Sequence, residues 1–98
     1  MPSTRRWMKP RATAVVTMTQ PRNNVAKAFG RVLRRRRNAL SMSQEDLASE
    51  AKFDRTYPSL LERGRRTPTL TVIINIAKVL GVTAAWLVIK TEEEMKHL

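Results

Sequence analysis

No cysteine occurs in the 98 residues, and that absence removes disulfides, thiol catalysis and thiolate zinc sites together. It also suits a reducing compartment, so the expected location is the cytoplasm. Histidine is nearly absent. His97 stands in the last two residues, so neither a catalytic imidazole nor a histidine-based metal cluster is expected. No nucleophile–base pair or phosphate-binding loop is placed either, and the expected catalytic residues, metal ligands and cofactors are none. Acidic residues are scarce, with 8 Asp and Glu against 19 Lys and Arg, a formal charge of +11. Such a surface attracts polyanions, meaning nucleic acid or an anionic membrane face. Long apolar runs are missing too, so no membrane span is expected.

Hydrophobic residues make up 42% of the chain, enough for one small domain with a modest core and little room for a buried catalytic pocket. The excess positive charge is unevenly placed. Residues 1–22 hold Arg5, Arg6, Lys9, Arg11 and Arg22 with three prolines and no acid. They read as a basic flexible N-terminal arm, with three alternatives open: an irrelevant tail, residues ahead of a start at Met18, or an organelle transit peptide. Residues 13–19 are weakly strand-like, with nothing evident to pair with. Residues 27–66 carry eleven basic and five acidic side chains, and residues 78–98 carry three of each. One surface should therefore meet a polyanion, while a neutral C-terminal part is free for a protein partner.

Strand alternation does not persist beyond residue 20, so the expected fold is all-α. The domain is placed at 23–90, with 91–98 as a tail or an extension of the last helix. A first helix is predicted from about Asn24 to Asn38, with Asn23 or Asn24 as N-cap and a buried stripe of Val25, Phe29, Val32, Leu33 and Leu40. Ser43 followed by Glu45 and Asp46 is close to a capping box and starts a second helix that ends near Lys52. A third is expected from Asp54 as cap to about Arg63, stopped by Gly64. Pro58 then falls at its fourth position and should distort the first turn. A fourth begins after Pro68 with Thr69 or Thr71 as cap, a stripe of Leu70, Ile73, Ile74, Ala77 and Leu80, and a stop at Gly81. A fifth starts near Thr83, carries Trp86, Leu87 and Ile89, and can run on through Glu92–Glu94, which reads as a solvated face.

Helices two and three have the spacing of a helix-turn-helix, two short helices crossing through a tight turn. Counting from Gln44, Leu47 is fourth, Ala48 fifth, Ala51 eighth, Phe53 tenth, Pro58 fifteenth and Leu61 eighteenth. The fifth position is the closest helix contact and holds a small residue, and every expected inward position is apolar. An ordinary small helical bundle is the plain alternative. The stretch SQEDLASEAKFDRTYPSLLERGRRTPTL, with IAKVLGVTAAWLV after it, resembles the Cro/phage-repressor-like (XRE-type) helix-turn-helix family over about Val25 to Val88. DRTY with ERG is similar to its subgroup of restriction–modification controller proteins. Two positions depart from the pattern. Lys52 stands where the turn usually has glycine, and Pro58 replaces a usual Leu or Ile.

The resemblance implies a compact five-helix bundle, the lambda-repressor-like DNA-binding domain, whose third helix enters the major groove. In that docking mode the N-terminal residues of the recognition helix reach base edges. Arg55, Thr56 and Ser59 are the expected base readers, Arg55 because a guanidinium can grip guanine O6 and N7 together. Gln44, Arg63, Arg65 and Arg66 are expected on the phosphate backbone, with Arg34 and Arg36 as further phosphate ligands. Tyr57 is expected there or as a half-buried buttress. The resemblance also implies a structural ion pair between Arg37 and Glu62. A short reading helix sees one half-site, so a homodimer on a palindromic operator is expected. Trp86, Val88 and Ile89 are candidates for its interface and, equally, for the intradomain core. The implied function is a sequence-specific, double-stranded DNA-binding transcriptional regulator at the nucleoid, a repressor or autoregulator without a small-molecule ligand. The alternatives are an antitoxin or restriction–modification controller on its own promoter, or a non-DNA protein-interaction module.

Overall fold

The computed structural model describes residues 23–98, and these form five helices: α1 (Asn23–Ala39), α2 (Gln44–Ala51), α3 (Tyr57–Glu62), α4 (Leu70–Leu80) and α5 (Ala84–Met95). There is no strand among the described residues. The basic arm at 1–22 and the strand-like stretch at 13–19 lie outside them. No single described helix is long and apolar enough to cross a membrane.

The helix starts follow local chemistry. Ser43 and Asp46 form the reciprocal capping box: the Ser43 hydroxyl accepts from Asp46 N at 2.9 Å and Asp46 Oδ2 accepts from Ser43 N at 3.0 Å. Thr69 and Thr83 cap α4 and α5 by accepting from Val72 N and Trp86 N. The ends share one device. After each of α1 to α4 an amide bonds five residues back and its predecessor bonds three back: Met42 to Arg37, Phe53 to Ala48, Arg65 to Leu60 and Val82 to Ala77 carry the longer bonds. That pattern needs a left-handed residue, supplied by Gly64 and Gly81 and also by Ser41 (φ 56°) and Lys52 (φ 61°). A non-glycine residue there costs about 1–2 kcal/mol, which the packing of the adjoining helices absorbs.

Several sequence expectations are corrected. Asn23 and Asn24 lie inside the first turn of α1 rather than ahead of it. Asp54 does not cap α3, which begins at Tyr57 after Thr56. Asp54 instead closes a turn onto Thr56. Pro58 is consequently the second helical residue, where its missing N–H is not needed; Arg55 and Thr56, expected in a distorted first turn, form a non-helical turn ahead of it, and Pro58 is fully buried. Val25 and Leu40 of the predicted α1 stripe are exposed, and so are Leu70 and Ile74 of the α4 stripe. The buried hydrophobic residues of α1 are Ala26, Ala28, Phe29, Val32 and Leu33, and in α4 they are Ile76, Ala77 and Leu80.

The core joins Phe29, Val32, Leu33, Leu47, Ala51, Leu61, Ile76, Ala77, Leu80 and Leu87, each large member contributing about 1.5–3 kcal/mol by leaving water. α1 is the central strut, packing along α5 and across α3. Gly30 permits the second contact: a Cβ there would sit 2.5 Å from Leu61 O and 2.6 Å from Glu62 O. α5 runs on to Met95, and Glu94 is not part of a solvated face. It is buried between Arg31 Nη1 at 3.1 Å and Arg35 Nη2 at 2.9 Å, which ties the end of α5 to α1.

Candidate nucleic-acid interface

α2 and α3 present one open groove lined by Gln44, Glu45, Arg55, Thr56, Ser59, Leu60 and Arg63. Five of these residues were expected from sequence at a nucleic-acid face. Ala48, at the fifth position of the spacing, is only 2% exposed. Around it Leu47, Ala51, Pro58 and Leu61 are buried, and Phe53 packs at the edge. This is the burial pattern the spacing from Gln44 calls for.

Below the groove lies a charged anchor. Arg37 donates to Glu62 through Nε at 2.6 Å and Nη2 at 3.0 Å, and its Nη1 donates to Met42 O at 2.7 Å. Both side chains are buried. The hydrogen bond to Glu62 holds the Arg37 pKa above its ordinary value against the opposing effect of burial. Glu62 Oε1 also accepts from Gln44 Nε2 at 3.0 Å, and Arg34 Nε approaches it at 3.5 Å. One carboxylate therefore ties together α1, the first residue of α2 and the last residue of α3. Gln44 has two amide hydrogens, so its Nε2 can donate a second bond besides the one to Glu62.

The outward side chains divide into two groups. Arg55 is highly exposed, and its Nη2 donates to Glu45 Oε2 at 3.3 Å. Thr56 donates to Asp54 Oδ1 from its amide at 2.8 Å and its hydroxyl at 2.6 Å. Those bonds, the hydroxyl first, hold the Asp54 carboxyl below its ordinary range. Ser59 lies on α3 proper, whereas Arg55 precedes that helix. Both nonetheless line the groove. Arg63 is exposed, and its Nε donates to Ser59 O at 3.4 Å. Arg65 and Arg66 are exposed in the loop after Gly64.

Other expected residues are placed elsewhere. Arg36 turns to the far end of α4, donating from Nε and Nη2 to Leu80 O at 3.1 and 2.9 Å, so it closes a helix terminus rather than presenting a free phosphate ligand. Tyr57 is half-buried against the core and meets Phe53 edge-on, with ring centroids 5.2 Å apart. That is the buttress alternative. Trp86 packs on the core with Lys90 over its ring at 5.7 Å. Val88 and Ile89 are left 42% and 51% exposed. Sequence reasoning missed Glu45 as a partner of Arg55. Nothing in its spacing signals a contact ten residues away across a turn.

A helix-turn-helix domain family matches residues 28–87. The chain belongs to that family. It is 36% identical over 70 residues to an HTH-type transcriptional regulator, y4dJ, of Sinorhizobium fredii, covering 71% of this chain and 91% of that one. It is 48% identical over 61 residues to the control protein C.BamHI of Bacillus amyloliquefaciens, covering 61% and 75%. Among solved structures it superposes on the restriction–modification controller protein C.Esp1396I, a tetramer in complex with its natural 35 base-pair operator. The TM-score there is 0.65 at 31% identity, over 72% of this chain and 93% of that one. With the groove above, these likenesses make the chain a DNA-binding regulator of transcription.

Proposed function

We propose that the protein is a homodimeric repressor or autoregulator that reads a palindromic operator through the groove between α2 and α3. Arg55, Thr56 and Ser59 contact base edges, and Gln44, Arg63, Arg65 and Arg66 contact phosphates. The observation that carries this reading is the convergence of Gln44, Arg55, Thr56, Ser59 and Arg63 in one open groove, on a helix pair locked from beneath by Glu62. Arg34, 62% exposed beside that lock, is a further phosphate ligand. Val88 and Ile89 form the apolar patch available to a second copy. The protein acts at the nucleoid, by binding and not by catalysing a reaction. A restriction–modification controller is a form of regulator compatible with the likeness to two control proteins, as a regulator of other genes is with the likeness to y4dJ.

Selection of bound sequences from random duplexes tests the proposal. The expected product is an inverted repeat with half-sites about 34 Å apart. Arg55→Ala should relax one position of it, while Arg66→Ala should weaken all sequences alike and lower the log–log salt slope by about 0.9. An unchanged preference in Arg55→Ala sinks the base assignment. For the dimer, sedimentation of Ile89→Glu is preferred to removing residues 90–98, because that segment contains buried Thr91 and Glu94.

A further inference from the structure

Thr56 stands in the groove with its hydroxyl already committed. Its amide and its Oγ1 both lie within hydrogen-bond distance of one oxygen, Asp54 Oδ1, at 2.8 and 2.6 Å. Asp54 is exposed and held below the ordinary carboxyl range by these bonds, so it is ionised near neutral pH and can only accept. The hydroxyl proton must therefore point at Asp54. A threonine hydroxyl has one proton and two lone pairs, so what Thr56 shows to the groove is acceptor alone. Turning the proton outward to a base carbonyl would exchange a bond to a charged oxygen for one to a neutral oxygen, about half as strong.

The major groove makes that polarity informative. Adenine N6 and cytosine N4 are donors there, whereas guanine O6, guanine N7 and thymine O4 are acceptors. An acceptor-only hydroxyl fits the first pair and meets the second with lone pair against lone pair. We propose that Asp54 is a positioning residue that sets the polarity of Thr56, so that Thr56 selects an amino-bearing base, adenine or cytosine, on the strand it contacts. The inference rests on the reading of Thr56 as a base contact. It goes beyond that reading by naming the base class and the residue that dictates it.

The test compares sequence selections for the full-length chain and four variants: Thr56→Val, Thr56→Ser, Asp54→Asn and Asp54→Ala. In the unaltered protein one position per half-site should carry A or C, and replacement by G or T should weaken binding about tenfold. Thr56→Val keeps the shape and loses the hydroxyl, so the preference at that position alone should vanish. Thr56→Ser should keep it. Asp54→Asn retains an acceptor oxygen but loses the charge that holds the proton, so the preference should weaken, whereas Asp54→Ala frees the proton outright and should admit G and T. The other positions of the operator report in each variant that the domain is folded. If Thr56→Val changes no position, the base-contact reading itself is wrong. If it changes one position but the preferred base there is G or T, or Asp54→Ala leaves the preference intact, Thr56 is a reader and the polarity inference is overturned.

Discussion

Glu62 receives two N–H groups from Arg37, at 2.6 and 3.0 Å, with the carboxylate side chain wholly shielded from water. A buried pair of this kind is not by itself a source of stability, because desolvation offsets the attraction. Its breakage is costly. Arg37→Ala should destabilise the domain by about 3–5 kcal/mol, since Glu62 keeps only the Gln44 amide and the more distant Arg34. The double variant Arg37→Met/Glu62→Leu should recover much of that loss and still bind DNA less tightly, because Gln44 loses its anchor. Urea unfolding and operator binding on the same samples separate the two effects. A double variant as unstable as Arg37→Ala would show that the pair is not the cause.

Gly30 and Gly81 should respond differently to alanine. At Gly30 the helix itself gains, by about 1 kcal/mol of propensity. The new Cβ would nonetheless lie 2.5 Å from the Leu61 carbonyl oxygen, and backbone cannot rotate aside as a side chain does. With two backbone oxygens at 2.5 and 2.6 Å, overpacking at the top of its usual range, about 3 kcal/mol or more, should win, lowering the melting temperature and shifting α3 on α1. At Gly81 the nearest atom is Arg36 Nη2 at 3.8 Å, so only the left-handed backbone (φ 70°) opposes alanine, at about 1 kcal/mol. Thermal unfolding should rank Gly30→Ala below Gly81→Ala.

The contrast between these positions shows what a sequence exposes. Caps are local, so Ser43, Thr69, Gly64 and Gly81 could be read directly. The Gln44-to-Leu61 spacing could be read because a helix-turn-helix is fixed within twenty residues. The stripe at Val25, Leu40, Leu70 and Ile74 misleads because helical periodicity names a face but not the length of its neighbour. Val25, Leu40 and Leu70 lie at helix ends that run past what covers the middle, whereas Ile74 lies inside α4, where the apolar face is wider than the buried one. Gly30, the Arg31–Glu94–Arg35 cluster and the Arg36–Leu80 bond were illegible, since they join segments about 30 to 60 residues apart. In the groove the residue types were legible and their partners were not: Arg55 reads from sequence as a free guanidinium, and only the fold brings Glu45 to it.

Acid should loosen the domain through named carboxylates. Hydrogen bonds from Arg35 and then Arg31 hold Glu94 below its ordinary value of 4.5, and the Ser43 amide and then its hydroxyl do the same for Asp46. A carboxyl depressed in the folded state contributes stability that is fully present above its unfolded value and is lost as pH falls through the folded one. Glu94→Gln should therefore lower the urea midpoint at pH 7 and narrow its gap to the unaltered protein on the way to pH 3. The general repulsion of so basic a chain is nearly the same in both proteins, the variant carrying one more positive unit at pH 7, and largely cancels in the difference. A gap that is constant with pH would mean that the Glu94 charge is not what holds α5 to α1.

Glu45 is the one acid in the groove, and its role separates affinity from discrimination. Its bond to Arg55 spans 3.3 Å between side chains that are 79% and 74% exposed, and a pair so wetted is worth no more than about 1 kcal/mol of stability. Glu45→Ala should therefore leave the melting temperature nearly unchanged. Binding should respond, in two directions at once. Removing a negative charge from a surface facing phosphates should tighten binding to non-operator duplex, most at low salt. Arg55, no longer held from one side, should pay more rotamer entropy to reach a guanine edge, so operator affinity should rise less or fall. The ratio of operator to non-operator binding is the decisive number, and it should drop. Titration of both duplexes at two salt concentrations measures it. An equal rise for both would mean that Glu45 only repels and that Arg55 orients itself.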